Sequence, residues 1–270
     1  MTKAYKTLLI AVVFSMFLVV HVKAQADDSS TIAVKKIKDF SVNGLGDAAA
    51  WKTTSFTKLN KKLTTGVNYS TNFKILYSDS GIYCLYVCED SLITSTLRED
   101  FADLYNEDVV EAFFWPDEKS VLYFEYELSP WNYELPIIVP NYNGKFLGWR
   151  PWHYEKERRT RHAATINKKG DKVIGWTAEF FIPFVLLSPL ENVPPKSGTK
   201  WRANFYRIDY DKGSNHWTWK PTSRSFHEYK KFGTIIFEQV LGTCLKELRN
   251  LFNLVCINKI YFHFNKFFPS

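Results

Sequence analysis

The chain has 270 residues, of which 46% are hydrophobic and 17% aromatic, and a formal net charge of +7. The first 24 residues and the stretch from Gln239 each have a net charge of +3, so residues 25–238 have a net charge of only +1. This distribution excludes a nucleic-acid-binding protein, and no Gly/Ser-rich or Pro-rich linker divides the chain into domains. We expect one large domain.

The amino terminus has the pattern of a secretory signal. Lys3 and Lys6 precede an apolar run from Leu8 to Val20, and the small residue Ala24 ends a cleavage-site motif before Gln25. The run is short for a membrane span. We therefore predict a signal peptide over 1–24, a mature chain that is secreted or periplasmic with no membrane span, and a domain over 25–238.

Two strands are predicted at Phe73–Tyr77 and Ile82–Cys88, on either side of a Ser-Asp-Ser-Gly turn. Cys84 and Cys88 lie four residues apart on one face of the second strand, about 13 Å from each other at 3.3 Å per residue, so they cannot form a disulfide. The other two cysteines, Cys244 and Cys256, complete no zinc-site spacing. The sequence indicates neither a disulfide framework nor zinc.

A β-hairpin with a glutamate in each arm is predicted over Asp108–Trp131. In the second arm, Leu122, Phe124, Tyr126 and Leu128 alternate with Tyr123, Glu125, Glu127 and Ser129, the period expected when one sheet face is buried. If Pro116–Ser120 is the loop, Glu111 lies directly opposite Glu125. Like charges that face each other destabilise a sheet, so this pair is expected to bind a cation, an arginine or the hydroxyls of a ligand.

The remaining predicted strands are Val173–Ile182, Trp201–Tyr210 and Thr234–Phe237, with a short helical turn near Pro183–Leu187. A basic cluster near Arg158 is interrupted by acidic residues and is interpreted as a solvated loop. Helical periodicity is scarce before residue 239. The fold class is therefore all-β, a two-sheet antiparallel β-sandwich with few short helices.

Seven motifs in order resemble the carbohydrate-binding module family 9-like domains of exported bacterial proteins. They are GDAAAW at Gly46–Trp51, LYVCED at Leu85–Asp90, LYNEDVVEAFFWPD at Leu104–Asp117, YFEYELSPWN at Tyr123–Asn132, GWTAEFFIP at Gly175–Pro183, WRANFYRIDYD at Trp201–Asp211, and FHEYKKFGTIIFE at Phe226–Glu238. The resemblance implies a β-sandwich that holds a sugar between two aromatic rings, with polar side chains that contact its hydroxyls.

The resemblance also implies which residues form the sugar site. Glu111 is the glutamate of the DVVE motif, and the first clamping ring, six residues before it, is Tyr105 where the family commonly has tryptophan. Either Trp217 or Trp219, in an exposed loop, would supply the second ring. The polar contacts implied by the resemblance and by the outward face of the late strand are Asn132, Arg202 and Asn204. An ion pair between Glu111 and Arg202 or Arg207 is the structural alternative.

Two further features remain open. The resemblance implies structural calcium near some sites of this kind, and the candidate ligands are Asp90, Asp108, Glu125 and Asp209, although no DxDxDG loop is present. The aromatic segment Gly148–Tyr154 either extends the sugar site or caps the sandwich, and we favour the cap. His227 is interpreted as a packed or hydrogen-bonded histidine.

Residues 239–270 follow the last family motif and have a different pattern. Leu241, Leu245, Leu248 and Phe252 have helical spacing, and a basic aromatic end follows them. The stretch is interpreted as an atypical amphipathic tail or as the product of a shifted reading frame.

The favoured function is reversible, non-catalytic binding of a polysaccharide or oligosaccharide, with no required cofactor, in a protein that keeps either an exported chain or a partner glycan-degrading enzyme on a glycan. The alternative is a glycoside hydrolase that uses Glu111 and Glu125 as a carboxylate pair. A haem-binding relative would need histidine ligands, because the two methionines, Met1 and Met16, both lie in the signal segment.

Overall fold

The computed structural model describes residues 30–63, 65–188 and 190–238. The chain divides into two units, Met1–Thr31 and Ile32–Ser270, and the architecture below is that of the second unit. The predicted signal peptide over 1–24 and the predicted tail over 239–270 lie outside the described residues.

The described residues form fifteen strands, one short α-helix and four 3-10 segments. The strands are β1 (Thr31–Lys36), β2 (Thr57–Lys58), β3 (Asn60–Lys61), β4 (Thr71–Tyr77), β5 (Gly81–Glu89), β6 (Val109–Trp115), β7 (Leu122–Leu128), β8 (Glu134–Tyr142), β9 (Lys145–Phe146), β10 (Arg150–Pro151), β11 (Arg161–Lys169), β12 (Lys172–Pro183), β13 (Lys200–Asp209), β14 (Asn215–Thr218) and β15 (Gly233–Phe237). The helix α1 is Phe184–Leu187, and the 3-10 segments are Ala49–Thr53, Leu104–Asn106, Lys156–Arg158 and Tyr229–Lys231. The predicted all-β class is confirmed.

Two sheets can be followed along the hydrogen-bonded strand order. The front sheet runs β10-β8-β7-β6-β13-β15, with β14 also paired to β13, and the back sheet runs β1-β4-β5-β12-β11. The two sheets are continuous through β15 and β1. Their long strand pairs are antiparallel, whereas β1 and β4 run parallel. Among the described helices, none has the length and apolar character needed to cross a bilayer.

The main core lies between the inner faces of the two sheets. Phe73 of the back sheet stacks on Phe205 of the front sheet with ring centroids 4.2 Å apart, and Tyr126 meets Phe180 at 4.6 Å. All four rings are fully buried. Since each buried aromatic side chain contributes about 1.5–3 kcal/mol, contacts of this kind hold the sandwich together.

The outer face of the front sheet is also largely buried. Its side chains include Phe113, Trp115 and Tyr123, which form a second hydrophobic cluster with Tyr229 and Phe232 from the segment before β15. This cluster gives the front sheet an aromatic cover on the side away from the back sheet. The cover is incomplete, and the gap in it is the cavity described below.

The predicted hairpin is confirmed as β6 and β7, but its predicted register is wrong by two residues. Glu111 lies opposite Glu127, and Glu125 lies opposite Phe113. The connection is longer than predicted, because β6 ends at Trp115 and β7 begins at Leu122. A two-residue shift preserves the side-chain alternation, so all three glutamates remain on the outer face.

The cysteine prediction is confirmed for the described pair. Cys84 and Cys88 are free, and both are buried in the main core on β5. Burial raises the pKa of the Cys84 thiol well above its usual value. Cys244 and Cys256 lie outside the described residues.

Candidate functional site

A cavity of about 290 Å³ opens on the outer face of the front sheet. Its floor comes from the sheet itself and includes the side chains of Glu111, Phe113, Glu125 and Glu127. Its walls come from the 3-10 segment before β6, the segment β9 to β10, and the segment between β14 and β15. Ligand-binding cavities usually have volumes from about 300 Å³ upward, so this space suits one small ring.

The floor gathers three carboxyl groups. Glu111 on β6 faces Glu127 on β7, and Glu125 lies two residues along the same face. One carboxylate oxygen from each residue can be chosen so that all three lie within 4.8 Å of one another. Both oxygens of Glu127 and Oε2 of Glu125 are buried without a hydrogen-bond partner. Buried carboxyl groups without such partners are costly, and this cost is reduced when a proton on one group lets Glu125 and Glu127 hydrogen-bond to each other or when a ligand binds.

Burial raises the pKa of each of these carboxyl groups. The pKa of Glu125 rises to about 8. Those of Glu111 and Glu127 rise well above their usual value, because the neighbouring glutamate charges add to the desolvation. Burial and mutual repulsion therefore favour the protonated forms of these carboxyl groups over the ionised forms.

His227 does not balance these charges. Its Nδ1 lies 2.7 Å from the hydroxyl oxygen of Tyr123 and 3.8 Å from Oε2 of Glu125, which is beyond hydrogen-bonding distance. Desolvation lowers the pKa of His227 to about 4, so the ring is neutral at physiological pH. The interpretation of His227 as a hydrogen-bonded histidine agrees with this geometry, and its ring also lines the cavity.

Neither arginine proposed as an ion-pair partner of Glu111 reaches it. Arg202 lies on the outer face, but its Nη2 donates to the backbone carbonyl of Phe232. Arg207 lies on the inner face, where its Nη2 donates to Asp90 at 2.9 Å and to Asp209 at 2.5 Å. The carboxyl groups of the floor therefore have no salt bridge to an arginine or lysine among the described residues.

Aromatic rings line the cavity walls. Tyr105 and Trp149 meet edge to face with centroids 6.0 Å apart, and the Tyr210 hydroxyl donates to the backbone carbonyl of Tyr105 at 3.0 Å. On the side formed by the segment after β14, Phe226 stacks on Tyr206 at 4.0 Å. These rings offer both flat faces and edges above a polar floor.

The two tryptophans predicted as clamping rings are not in the cavity. Trp217 is 1% exposed and Trp219 is 5% exposed, and both belong to the main core. The prediction of an exposed loop is wrong there because Asn215–Thr218 forms β14, which places Trp217 opposite Arg207 on the inner face of the front sheet. The Trp217 indole donates to the backbone carbonyl of Tyr69, and Trp219 packs on Phe205.

The Gly148–Tyr154 segment contributes one ring to the cavity and another to the sandwich. Trp149 lines the cavity, whereas Trp152 packs against the main core and donates its indole N–H to the carbonyl of Leu186 at 2.8 Å. Trp149 is therefore the tryptophan at the site. The only sequence signal for it was the aromatic density of the segment, because nothing in the spacing separates Trp149 from Trp152.

The three predicted polar contacts either lie outside the cavity or already hydrogen-bond within the protein. Asn132 Oδ1 lies 2.9 Å from His162 Nδ1, at the turn between β7 and β8. Asn204 is on the predicted outer face, but its amide donates to the carbonyl of Lys220 and its Oδ1 accepts the Lys220 N–H. Arg202 donates to the backbone carbonyl of Phe232. Of the predicted sugar-binding residues, the structure brings Tyr105 and Glu111 into the cavity.

The candidate calcium ligands are divided between different surroundings. Asp90, Asp209 and Asp211 form a buried cluster whose oxygens lie within 4.8 Å of one another. The guanidinium of Arg207 already supplies a positive charge to Asp90 and Asp209, so this donor set does not fit a calcium ion as arranged. Asp108 accepts the backbone N–H groups of Thr94 and Tyr210, and Glu125 lies in the cavity.

Comparisons with known proteins agree on the fold. The family model described as "Carbohydrate family 9 binding domain-like" matches residues 42–239. A protein from Bacteroides uniformis, whose description assigns it provisionally to carbohydrate binding, has a TM-score of 0.63 at 17% identity over 77% of this chain and 99% of its own. A carbohydrate binding module family 9 from Caldicellulosiruptor kristjanssonii has a TM-score of 0.56 in two structures. The structure with cellotriose is 16% identical over 78% of this chain and 94% of its own. The structure with glucose is 15% identical over 78% of this chain and 96% of its own. No curated protein matches the chain significantly. At these identities, the solved structures establish the fold.

Proposed function

Because the chain belongs to the carbohydrate family 9 binding domain-like family, we propose that it binds a carbohydrate in the cavity of the front sheet. The observation that carries the proposal is the combination of an aromatic wall with a carboxyl floor. A pyranose ring has an apolar C–H face that packs on an aromatic ring and a rim of hydroxyls that donate to carboxylates. Tyr105 and Trp149 would supply the ring faces, and Glu111 would accept from the hydroxyls.

Binding without hydrolysis is supported by the placement of the carboxyl groups. A glycoside hydrolase needs two carboxyl groups that flank the scissile bond, one to protonate the leaving group and one to attack or to activate water. Glu111 and Glu125 lie on neighbouring strands of one sheet face. A sugar above that face would meet both from the same side, so we propose reversible binding and not catalysis.

The cellular setting belongs to the same proposal. The pattern of residues 1–24 supports export, and we propose that the mature protein is secreted or periplasmic and binds a polysaccharide or oligosaccharide alone or beside a glycan-degrading enzyme. Amino-terminal sequencing of protein recovered from an expressing host tests the export step. A mature protein that retains Met1 would contradict it.

The binding proposal is tested by isothermal titration calorimetry with glucose and cellotriose, after a glycan-array scan has ranked other sugars. Tyr105→Ala is expected to weaken binding about tenfold through loss of ring contact. The matched control is Tyr142→Ala, which removes a tyrosine that is 61% exposed and does not line the cavity. Trp149→Ala, compared with Trp131→Ala, repeats the test on the second ring.

Three outcomes would count against the proposal. They are the absence of binding to any glycan, equal losses in Tyr105→Ala and Tyr142→Ala, and release of a sugar product during incubation. The third outcome would support the hydrolase alternative, and Glu111→Gln should then abolish turnover.

A further inference from the structure

The cavity floor has a charge pattern that a neutral sugar does not explain. Glu111, Glu125 and Glu127 are 2%, 4% and 0% exposed, and Glu125 Oε2 and both Glu127 oxygens are without hydrogen-bond partners. A site for neutral hydroxyls needs one or two carboxylates, whereas a third close carboxylate adds repulsion. Three ionised carboxylates on this floor would therefore carry more negative charge than a neutral pyranose requires.

The positively charged side chains near the cavity do not neutralise this floor. Lys62 and Arg224 line the cavity, but neither forms a salt bridge with the three glutamates among the described residues. Lys62 Nζ instead lies 5.8 Å from the ring centroid of Phe226. Other titratable groups near the floor or rim are Asp103, Tyr105, Tyr123, Tyr206, Tyr210, His216 and His227. The missing positive charge must come from the ligand or from bound protons.

We propose that the cavity binds a sugar that carries a free ammonium group, a deacetylated amino sugar, with the ammonium on Glu111, Glu125 and Glu127. This inference rests on the proposed carbohydrate-binding function and names the class of sugar. A primary ammonium has three N–H donors, which matches three carboxyl groups whose oxygens lie within 4.8 Å of one another. Its charge-assisted bonds are about twice as strong as neutral ones.

The aromatic wall supports the same ligand. An ammonium group, and the C–H groups polarised by it, are attracted to the faces of aromatic rings. Tyr105, Trp149 and Phe226 all line the cavity. A ring-shaped ligand with a cationic substituent therefore uses both the rings and the floor, whereas a small inorganic cation would use only the floor.

A calcium ion could also find oxygen ligands on this floor. Calcium takes about six to eight oxygen ligands. Apart from the three carboxyl groups, the side chains lining the described cavity supply oxygen only from Tyr105 and Ser225, and the remaining lining is aromatic, aliphatic or cationic. Calcium is therefore the competing occupant that the experiment must separate from an amino sugar.

The experiment is calorimetry on the full chain with a matched ligand series. Cellotriose, the glucosamine trimer and the N-acetylglucosamine trimer share one β-1,4 backbone and carry a hydroxyl, an ammonium and an acetamide at the same carbon. Glucosamine, galactosamine and mannosamine, each with its neutral parent and its N-acetyl form, cover other ring configurations. We expect at least one amine to bind about tenfold or more tightly than both of its matched forms.

The variants separate charge from shape. Glu127→Gln keeps the side-chain volume and removes the charge, so it should lower the ratio of amine affinity to neutral-sugar affinity about tenfold. Glu125→Gln repeats the test in case the first variant folds poorly. Glu191→Gln, an exposed glutamate remote in sequence from the floor residues, is the control and should match the wild type.

Each result has a defined meaning. If neutral sugars bind and no amine binds more tightly than its parent, the amino-sugar inference is overturned and the proposed function stands. If no sugar of the series binds, the inference is overturned, and the proposed function depends on the array scan. If calcium chloride alone binds, and Glu127→Gln abolishes that binding, the floor is a metal site and the inference is likewise overturned.

Discussion

Replacing Glu125 with glutamine is expected to stabilise the ligand-free protein at neutral pH and to leave its stability nearly unchanged at pH 5. The carboxyl group is buried, and its pKa is raised from 4.5 to about 8 by desolvation. At pH 5 it is protonated in the folded protein, and glutamine has nearly the same shape and the same zero charge. At pH 7 the folded protein must retain a proton that the unfolded chain releases.

The size of the effect follows from the two pKa values. Between pH 4.5 and about 8, the folded state binds more protons at Glu125 than the unfolded state, so stability falls as pH rises through that window. The slope is about 1.4 kcal/mol per pH unit for one group, which amounts to about 3 kcal/mol between pH 5 and pH 7. Asp90 and Asp108, with pKa values raised to about 6 and about 7, add to the wild-type slope with the same sign. The difference between variant and wild type is therefore assigned to Glu125 together with its effect on Glu111 and Glu127, whose pKa values are raised by desolvation and by the charge of Glu125.

Urea denaturation followed by tryptophan fluorescence at pH 5, 6, 7 and 8 measures this difference. Glu191→Gln, at an exposed position, should follow the wild-type curve. If Glu125→Gln has the same pH slope as the wild type, the carboxyl group is ionised in the folded protein. The account of a protonated, cation-accepting floor would then be refuted.

Three other substitutions test the fold around the site. Trp217→Ala is expected to destabilise the protein by about 3–5 kcal/mol in thermal or chemical unfolding, because the ring fills the main core. The folded fraction should bind sugar like the wild type. A selective loss of sugar affinity at unchanged stability would instead support the predicted role of Trp217 as a clamping ring. Arg207→Met leaves Asp90 and Asp209 buried without a cation and should cost about 3–5 kcal/mol at pH 7. The cost should be smaller at pH 4, because loss of the guanidinium raises the pKa of both aspartates and favours their uncharged forms. Equal losses at both pH values would contradict the ion-pair account. Gly175→Ala should destabilise the protein by about 1–3 kcal/mol, because the φ of +151° at this position is unfavourable for alanine and the added Cβ would lie 2.2 Å from the backbone carbonyl oxygen of Cys88. A variant that unfolds at the same urea concentration as the wild type would contradict this.

Local patterns in the chain predicted the strands that matter for the site. Alternation over Leu122–Leu128 correctly separated the core-facing residues from Tyr123, Glu125 and Glu127. Face assignment was reliable because it depends on side-chain parity, which a register error of two residues does not change. The same argument correctly placed Arg202 and Asn204 on the outer face, although both use their polar groups within the protein.

Aromatic side chains were harder to assign, because a ring can fill a core or line a cavity with the same local sequence. Trp217 and Trp219 looked like loop residues, but the pairing of β14 with β13 and β3 directs them into the core. Trp149 reaches the cavity because the segment after β8 folds back over the front sheet. Such contacts depend on long-range pairing, which a single sequence does not encode in any short pattern.

The sequence by itself determined the all-β class, the family resemblance and the face on which the glutamates lie, because strand periodicity and motif order are local properties of the chain. Only the tertiary structure decided that Glu111 faces Glu127, that Glu125 joins them, and that no arginine of the described residues pairs with them. The opposed pair predicted from the hairpin, Glu111 with Glu125, is wrong: Glu111 lies opposite Glu127, and Glu125 lies beside them on the same face. Their register depends on the loop length, and their lack of a cation depends on arginines whose positions are set by other strands.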